Sequence, residues 1–123
     1  MIRLGLDLVS LGEIDRLAER RWFVTYFFAD TEMAYAATLG DSRRREFLAG
    51  RFAAKEAVLK VLGVGLFEGV RPRDIAVEPA GSGAPRVTLS ETAAAAADRA
   101  EIAQVSLSIS HKHDMVAAVA AGW

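Results

Sequence analysis

Three groups of side chains in this 123-residue sequence could take part in catalysis or in ligand binding. Asp7 lies in an otherwise apolar N-terminal segment, where an ionised carboxylate is costly unless a cation or hydrogen bonds accompany it. Glu56 and Lys60 are four residues apart, and His111 follows a segment in which serine alternates with apolar residues. For Asp7 the ordinary alternative is a solvated carboxylate at a strand end, or one that caps a helix.

Asp7 and Glu56 together could bind a divalent cation. Carboxylate oxygens suit a Mg²⁺ ion that holds a diphosphate, and Lys60 would offer a point charge to a phosphate oxygen. The glycines that follow, Gly63 and Gly65, would permit close approach of the backbone to a ligand. The alternative for Glu56 and Lys60 is a surface ion pair on one helix, worth roughly 0.2 to 0.5 kcal/mol.

Two further groups carry weaker signals. His111 and His113 lie in a predicted tight turn, and two histidines without a third ligand favour a phosphate contact or a plain turn over a zinc site. The run from Arg43 to Arg45 is typical of a solvated helix face, and it could equally contact an acidic protein or a nucleotide phosphate.

The elements that must position these residues are a strand and a long helix. Residues 2–9 alternate as a half-buried strand does, with Ile2 and three leucines on one face, so Asp7 points away from the leucine face. Ser10 and Glu13 have capping-box spacing, so a helix should begin where the strand ends. A long helix capped by Asp41 or Ser42 should run to Gly63, with a stripe of small residues that lets another element approach closely.

The rest of the pattern predicts the order strand, several helices, two strands, helix, two strands. Short turns between neighbouring strands imply antiparallel pairing, which indicates an α+β class in one domain over residues 1–123. We expect an antiparallel sheet packed against the long helix and shorter helices. The other predicted elements are a helix or strand over 22–28, a short helix from Asp30 or Thr31 to near Gly40, strands at 75–77 and 86–89 joined by a hairpin over 79–85, a helix capped by Ser90, a strand over 105–109, a turn over 111–114 and a strand over 115–121.

Composition excludes several classes of protein. Apolar residues make up 52% of the chain, but 23 of them are alanine, so the core is thin and a shared interface is expected. There is no cysteine, which favours a reducing compartment, and no apolar run approaches the roughly 18 to 20 residues of a membrane span. The net charge of -1 argues against nucleic acid as a partner, although residues 41–73 carry 8 basic and 4 acidic side chains.

The order of these motifs resembles that of a known family, the holo-acyl-carrier-protein synthases, which are the short, trimeric class of 4'-phosphopantetheinyl transferases. Gly5-Leu6-Asp7-Leu8-Val9 is similar to the family's first motif. The segment from Phe47 to Ala57 (FLAGRFAAKEA), followed by Lys60 and Gly63, is similar to its second and most specific motif. Weaker similarities lie at residues 29–32, 83–85 and 106–111. The resemblance therefore spans almost the whole chain.

The resemblance implies both the fold and the chemistry. The 4'-phosphopantetheinyl transferase fold would place Asp7 and Glu56 as Mg²⁺ ligands, and Lys60 beside the diphosphate of coenzyme A. Coenzyme A would also contact Gly63 and Gly65, with Arg51 and His111 near its adenosine 3'-phosphate. The implied reaction moves phosphopantetheine from coenzyme A to a serine of an acyl carrier protein, with Asp7, Glu56 and Lys60 as the catalytic residues. The proton of that serine could pass to Glu56 or to a metal-bound water.

The resemblance also implies a cytoplasmic homotrimer with active sites between subunits, serving fatty-acid or polyketide synthesis. Three positions depart from the family: Glu13 stands where an arginine usually meets the acidic carrier protein, Tyr26 replaces a second arginine, and Val64 replaces a common threonine. Arg16, Arg20 and Arg21 would remain for the carrier protein. Two other hypotheses stay open at this point, namely a non-catalytic module that binds a carrier protein or nucleotide, and a structural oligomerisation domain.

Overall fold

The computed structural model describes residues 1–79 and 81–123, and one residue of the predicted 79–85 hairpin, Ala80, therefore lies outside the described residues. The order of elements agrees with the prediction, and the segment that could have been helix or strand is the helix α2. The elements are β1 (Arg3–Ser10), α1 (Leu11–Ala18), α2 (Arg21–Phe27), α3 (Asp30–Ala36), α4 (Asp41–Leu62), a 3-10 turn (Pro72–Asp74), β2 (Ile75–Pro79), β3 (Pro85–Leu89), α5 (Glu91–Arg99), β4 (Val105–Lys112) and β5 (Met115–Gly122).

The strands form two antiparallel groups. A three-stranded sheet has the order β1-β5-β4, and β2 pairs with β3 as a separate two-stranded ribbon. One face of the three-stranded sheet packs along α4 and buries Val116, Ala118 and Ala120 of β5. The expected α+β class, with an antiparallel sheet packed against the long helix, is confirmed.

Small residues determine how closely the sheet lies on α4. Ala49 and Ala53, which belong to the predicted small-residue stripe of the helix, are fully buried, and so is Ala57. At Gly5 of β1 the contact is so close that an added Cβ atom would lie 1.9 Å from the carbonyl oxygen of Ala57. A glycine is therefore required at this point of β1, because any other side chain would push the strand off the helix.

β1 exposes its large apolar side chains and packs its other face against the helix, which is the reverse of the usual arrangement of an alternating strand. Leu4, Leu6 and Leu8 are 71%, 63% and 62% exposed, whereas Gly5 and Val9 on the opposite face are buried against the helix. Asp7 lies on the helix side, away from the leucine face as predicted. An apolar strand face left open in one chain points to a covering surface outside that chain.

The ends of the helices agree only in part with the predicted caps. Ser10 does cap α1, because its Oγ accepts a hydrogen bond from the backbone N–H of Glu13 at 3.2 Å. The prediction for α4 is wrong: its N-cap is Gly40, and no side chain caps it. Ser90 does occupy the predicted N-cap position of α5, but its side chain makes no cap hydrogen bond. Asp74 performs that role from the preceding 3-10 turn, since its Oδ2 accepts from both the backbone N–H and the hydroxyl of Thr92.

A buried ion pair joins the helices to the small ribbon. The side chains of Lys55 and Glu32 are 0% and 1% exposed, and their charged atoms are 2.5 Å apart. Lys55 Nζ also donates to the carbonyl oxygens of Phe27 and Pro72, both at 3.1 Å. The Glu32 carboxylate accepts from the backbone N–H groups of Ala29 and Val77. Burial lowers the pKa of Lys55 to about 8, and the charge of Glu32 opposes that shift.

We predict that Lys55→Met lowers the free energy of unfolding by about 3 to 5 kcal/mol, because it leaves a buried carboxylate without its cation. Adding Glu32→Gln should restore part of the loss, since no charge then remains unpaired. Urea denaturation at a fixed protein concentration measures both effects. Lys112→Met, at an exposed lysine of β4, is the matched control. Equal midpoints for Lys55→Met and Lys112→Met would contradict the prediction.

Candidate active site

The contact between β1 and α4 brings Asp7 to the helix that carries Glu56 and Lys60. Gly5 fixes the strand at the level of Ala57, and an added Cβ there would also lie 3.1 Å from Cβ of Lys60. Asp7 follows two residues later on the same face of β1. Glu56 and Lys60 are one helical turn apart on α4, so they project from neighbouring parts of one side. The three residues predicted to be catalytic therefore lie together.

Lys60 is held by β1 and not by its own helix. Its Nζ atom donates to the carbonyl oxygen of Leu6 at 2.6 Å and lies 3.4 Å from Oδ1 of Asp7. The interpretation of Glu56 and Lys60 as a plain surface ion pair is therefore wrong, because the carboxylate within ion-pair distance of Lys60 is Asp7. The side chain of Lys60 is still 51% exposed, so its ammonium can also reach a ligand.

Glu56 carries an unusual oxygen atom. Its Oε1 is buried, and within the described part of the chain it has no hydrogen-bond partner. Burial raises the pKa of the Glu56 carboxyl, and the negative charge of Asp7 raises it further, while Lys60 opposes both effects. The pKa of Asp7 is also raised by burial, with Lys60 opposing and the nearby Glu13 adding a smaller upward effect. Neither carboxylate therefore has enough positive charge nearby to offset the cost of its partial burial in the ionised form.

This arrangement fits a hard divalent cation. Residues 1–79 and 81–123 contain no cluster of three or more His, Cys, Asp or Glu side chains placed to hold a metal ion. A cation at Asp7 and Glu56 would therefore take two protein ligands and draw the rest from water or from a bound substrate. Mg²⁺ is typically bound in this way, through one or two carboxylates together with substrate phosphates. The unpartnered Glu56 oxygen is the observation that supports the fit, because such an oxygen can accept a metal bond at no cost to the fold.

The second group of predicted ligand-binding residues lines a separate cavity of about 300 Å³. Arg51 and His111 meet there, together with Arg43 from the arginine run. Arg51 Nε donates to the carbonyl oxygen of Val77 at 3.1 Å, and its guanidinium carbon lies 4.4 Å from the centre of the Phe47 ring. The cavity is also lined by one carboxylate, Glu46, and its two cationic side chains and histidine outnumber that negative charge, which suits a phosphate. Phe47 was predicted only as the first residue of the FLAGRFAAKEA segment, and its position four residues before Arg51 was the available signal for this contact.

The structure does not bring all predicted coenzyme-binding residues into one cavity of a single chain. Lys60, Gly63 and Gly65 lie at the C-terminal end of α4 and do not line the cavity of Arg51 and His111. Gly63 ends the helix in the left-handed conformation, with φ of 77°. Lys60 follows Arg51 by nine residues, which is about two and a half helical turns, so the two side chains leave α4 on roughly opposite sides.

The remaining candidates have mixed outcomes. His111 lies in β4, which continues to Lys112, so the turn between β4 and β5 is shorter than the predicted 111–114 segment. The arginine run is more than a solvated face: Arg45 forms two hydrogen bonds to Asp15 of α1, at 2.8 and 2.7 Å. Arg44 donates to the carbonyl oxygens of Ala36, the last residue of α3, and of Leu39, three residues later.

Comparison with known proteins identifies the family of this chain. Residues 3–120 match the family model described as the 4'-phosphopantetheinyl transferase superfamily. A holo-[acyl-carrier-protein] synthase from Anaeromyxobacter sp. (strain K) is 43% identical over 126 residues, which cover 98% of this chain and 93% of that protein. No helix in the described part of the chain is long and apolar enough to cross a membrane.

Solved structures give the same result. The crystal structure of the Neisseria meningitidis holo-[acyl-carrier-protein] synthase is similar with a TM-score of 0.88 and 31% identity, covering 100% of this chain and 99% of that one. The Bacillus anthracis enzyme, solved in complex with CoA (3',5'-ADP), gives a TM-score of 0.81 at 32% identity, covering 98% and 94% of the two chains. The resemblance inferred from the sequence motifs is confirmed, and the chain belongs to the 4'-phosphopantetheinyl transferase superfamily.

Proposed function

We propose that this protein transfers the 4'-phosphopantetheine group from coenzyme A to a serine of an acyl carrier protein and releases adenosine 3',5'-bisphosphate. The observation that carries the proposal is that two carboxylates, Asp7 and Glu56, lie together beside Lys60. Within the described residues, Oε1 of Glu56 has no hydrogen-bond partner. Relatives named holo-[acyl-carrier-protein] synthase and a structure in complex with CoA support it. The enzyme class predicted from the sequence, a 4'-phosphopantetheinyl transferase, is that of the family.

Asp7 and Glu56 would hold Mg²⁺ in this reaction. When bound, the ion supplies neutralisation of the negative charge on the diphosphate. Lys60, fixed by the Leu6 carbonyl and Asp7, donates to the same diphosphate through its exposed ammonium. The reaction needs no covalent bond to the protein, because alignment of the serine hydroxyl with phosphorus and charge neutralisation supply the catalysis.

Arg51 and His111 would bind the adenosine 3'-phosphate, which places the nucleotide in the cavity that they line together with Arg43. Gly63 and Gly65 would permit the pantetheine-diphosphate part to lie close to the backbone after α4. Arg51 and Lys60 leave α4 on roughly opposite sides, so one chain does not present both to a single ligand. We therefore propose that the cavity of one subunit and the carboxylates of its neighbour form one active site.

The exposed face of the three-stranded sheet supports a homotrimer. Leu4, Leu6 and Leu8 of β1 pair across the sheet with Ala121, Val119 and Ala117 of β5, so the open face is apolar along two strands. Leaving three leucine side chains in water forgoes about 1.5 to 3 kcal/mol for each. A second copy that covers this face would supply the part of the core that the alanine-rich chain lacks.

The partner and the compartment are proposed from chemistry. Arg16, Arg20 and Arg21 are exposed at α1 and the start of α2, and they offer positive charge to an acidic carrier protein of the fatty-acid or polyketide type. Glu13 is exposed on α1 and works against such a partner. Coenzyme A, a carrier protein and a cysteine-free chain together favour the cytoplasm.

We predict that the protein, incubated with coenzyme A, Mg²⁺ and an apo-carrier protein, adds one phosphopantetheine mass to the carrier in mass spectrometry. Glu56→Gln should lower the rate at least about 100-fold, because one of two metal ligands becomes neutral. Removal of the metal with EDTA should stop transfer, and added Mg²⁺ should restore it.

Asp98→Asn, at an exposed carboxylate of α5 far along the chain from the site, is the control and should transfer at the normal rate. Equal rates for Glu56→Gln and Asp98→Asn would show that Glu56 is not a metal ligand. If the unaltered protein modified none of several fatty-acid and polyketide carriers, a non-catalytic binding module or a structural oligomerisation domain would replace the transferase.

We predict that the protein has about three times the chain mass of 13.2 kDa in light scattering. Leu6→Glu should dissociate it to single chains, because the assembly would bury a charge in the middle of the leucine face without compensation. Thr88→Glu, on an exposed position of the separate ribbon, should leave the assembly intact. A Leu6→Glu protein that keeps the full mass would place the interface elsewhere.

We predict that Glu13→Arg improves kcat/KM several-fold on an acidic fatty-acid carrier protein, because the substitution removes a repulsive charge and adds an attractive one. Glu13→Gln should give an intermediate value, and the gain should shrink in 0.5 M salt, about threefold above the ionic strength of cells. Unchanged rates for both variants would remove the hypothesis that Glu13 marks an unusual carrier.

A further inference from the structure

Arg51 is oriented by two contacts that leave its terminal nitrogens free. Its Nε donates to the carbonyl oxygen of Val77 in β2, and its guanidinium carbon lies 4.4 Å from the centre of the Phe47 ring. Within the described residues, neither Nη1 nor Nη2 of Arg51 donates a hydrogen bond to another protein group. Both atoms belong to a side chain that lines the cavity with Arg43 and His111.

Phe47 is well placed to fix the plane of that guanidinium. It precedes Arg51 by four residues on α4, so the two side chains lie on the same side of the helix. Phe47 is itself held by Tyr35 of α3, whose ring centre is 5.0 Å away. A guanidinium that stacks on an aromatic ring keeps its planar fork in one orientation, and a fixed fork is what recognition of a phosphate by two parallel hydrogen bonds requires.

We propose that Phe47 is a positioning residue that orients Arg51 toward the 3'-phosphate of coenzyme A, so that the aromatic ring sets the preference for coenzyme A over its 3'-dephospho form. The inference rests on the proposed function, because it takes coenzyme A as the ligand. Phe47 touches Arg51 and not the reacting atoms, so it acts on ligand selection and not on the chemical step.

The test is the ratio of the dissociation constants for 3'-dephospho-coenzyme A and coenzyme A, measured by calorimetry on the intact protein. Phe47→Leu should lower this ratio by about 2- to 30-fold, the range that corresponds to a cation–π contact. The loss should fall on coenzyme A, with binding of the dephospho form unchanged. Phe47→Tyr keeps an aromatic ring and should keep the ratio.

Phe52→Leu is the matched control, because Phe52 lies on the same helix but packs against Phe23 and Phe27 instead of Arg51. It should keep the ratio even if the fold becomes less stable, which separates positioning from stability. Arg51→Gln should lower the ratio further than Phe47→Leu does, because it removes the guanidinium itself and leaves only Arg43 and His111 in the cavity.

A Phe47→Leu protein that retains the full ratio while Arg51→Gln lowers it would overturn the role of Phe47. A ratio unchanged in Arg51→Gln would overturn the proposal as well, since Arg51 would then not meet the 3'-phosphate. Neither result touches the transfer reaction, whereas failure of the unaltered protein to bind coenzyme A would overturn the proposed function itself.

Discussion

The architecture depends on one buried ion pair. Lys55 and Glu32 are almost completely removed from water, and removal of two charges from water costs several kcal/mol for each ion unless every donor and acceptor is satisfied. Here the requirement is met by backbone groups from four other places: the end of α2, the start of α3, the 3-10 turn and β2. The pair therefore requires these elements to be in position together. Because Glu56 follows Lys55 in the chain, the register of α4 that satisfies the ion pair also determines where the candidate metal ligand points.

The fold could be predicted from the sequence where local patterns decide it. Alternation predicted β1, and capping-box spacing predicted the start of α1. The small-residue stripe of α4 predicted that another element packs closely against this helix. The ion pair could not be predicted, since Glu32 and Lys55 are 23 positions apart and nothing in either local pattern joins them. The side of β1 that packs against α4 could not be predicted either. The pattern shows that Leu4, Leu6 and Leu8 share a face, but it does not tell whether the covering surface belongs to the same chain.

Helix caps show a similar limit. Asp41, Ser42 and Ser90 have the residue types that cap helices, yet none of them makes a side-chain cap in the structure. Asp74 serves α5 instead because the 3-10 turn carries its carboxylate to the backbone N–H of Thr92. Cap preferences describe what a residue can do at a helix start, while tertiary structure decides which side chain accepts the hydrogen bond, as Asp74 does although Ser90 occupies the N-cap position of α5.

Residue chemistry alone suggested that Asp7, Glu56 and Lys60 could form a cation and phosphate site, and the family resemblance was needed to choose that interpretation and to add Arg51. Composition and spacing left Glu56 and Lys60 open as an ordinary ion pair. In the structure Lys60 pairs with Asp7 instead, and Glu56 Oε1 has no hydrogen-bond partner among the described residues. The contact between the Phe47 ring and Arg51 could not be predicted from the sequence, because a phenylalanine on a helix is most simply interpreted as a core residue. Cation–aromatic contacts become apparent only when the direction of both side chains is known.

The single long helix α4 also fixes a length. Arg51 and Lys60 are joined by uninterrupted helix, so their separation along the axis is about 13 Å, set by the rise of 1.5 Å per residue, and their angular relation is set by the turn. The helix therefore holds Arg51 and Lys60 at a fixed separation along its axis and on roughly opposite sides. Insertion of one residue between positions 51 and 60 would turn Arg51 by about 100° about the helix axis relative to Lys60. Chain-length variation among proteins that share this site should therefore spare this part of α4.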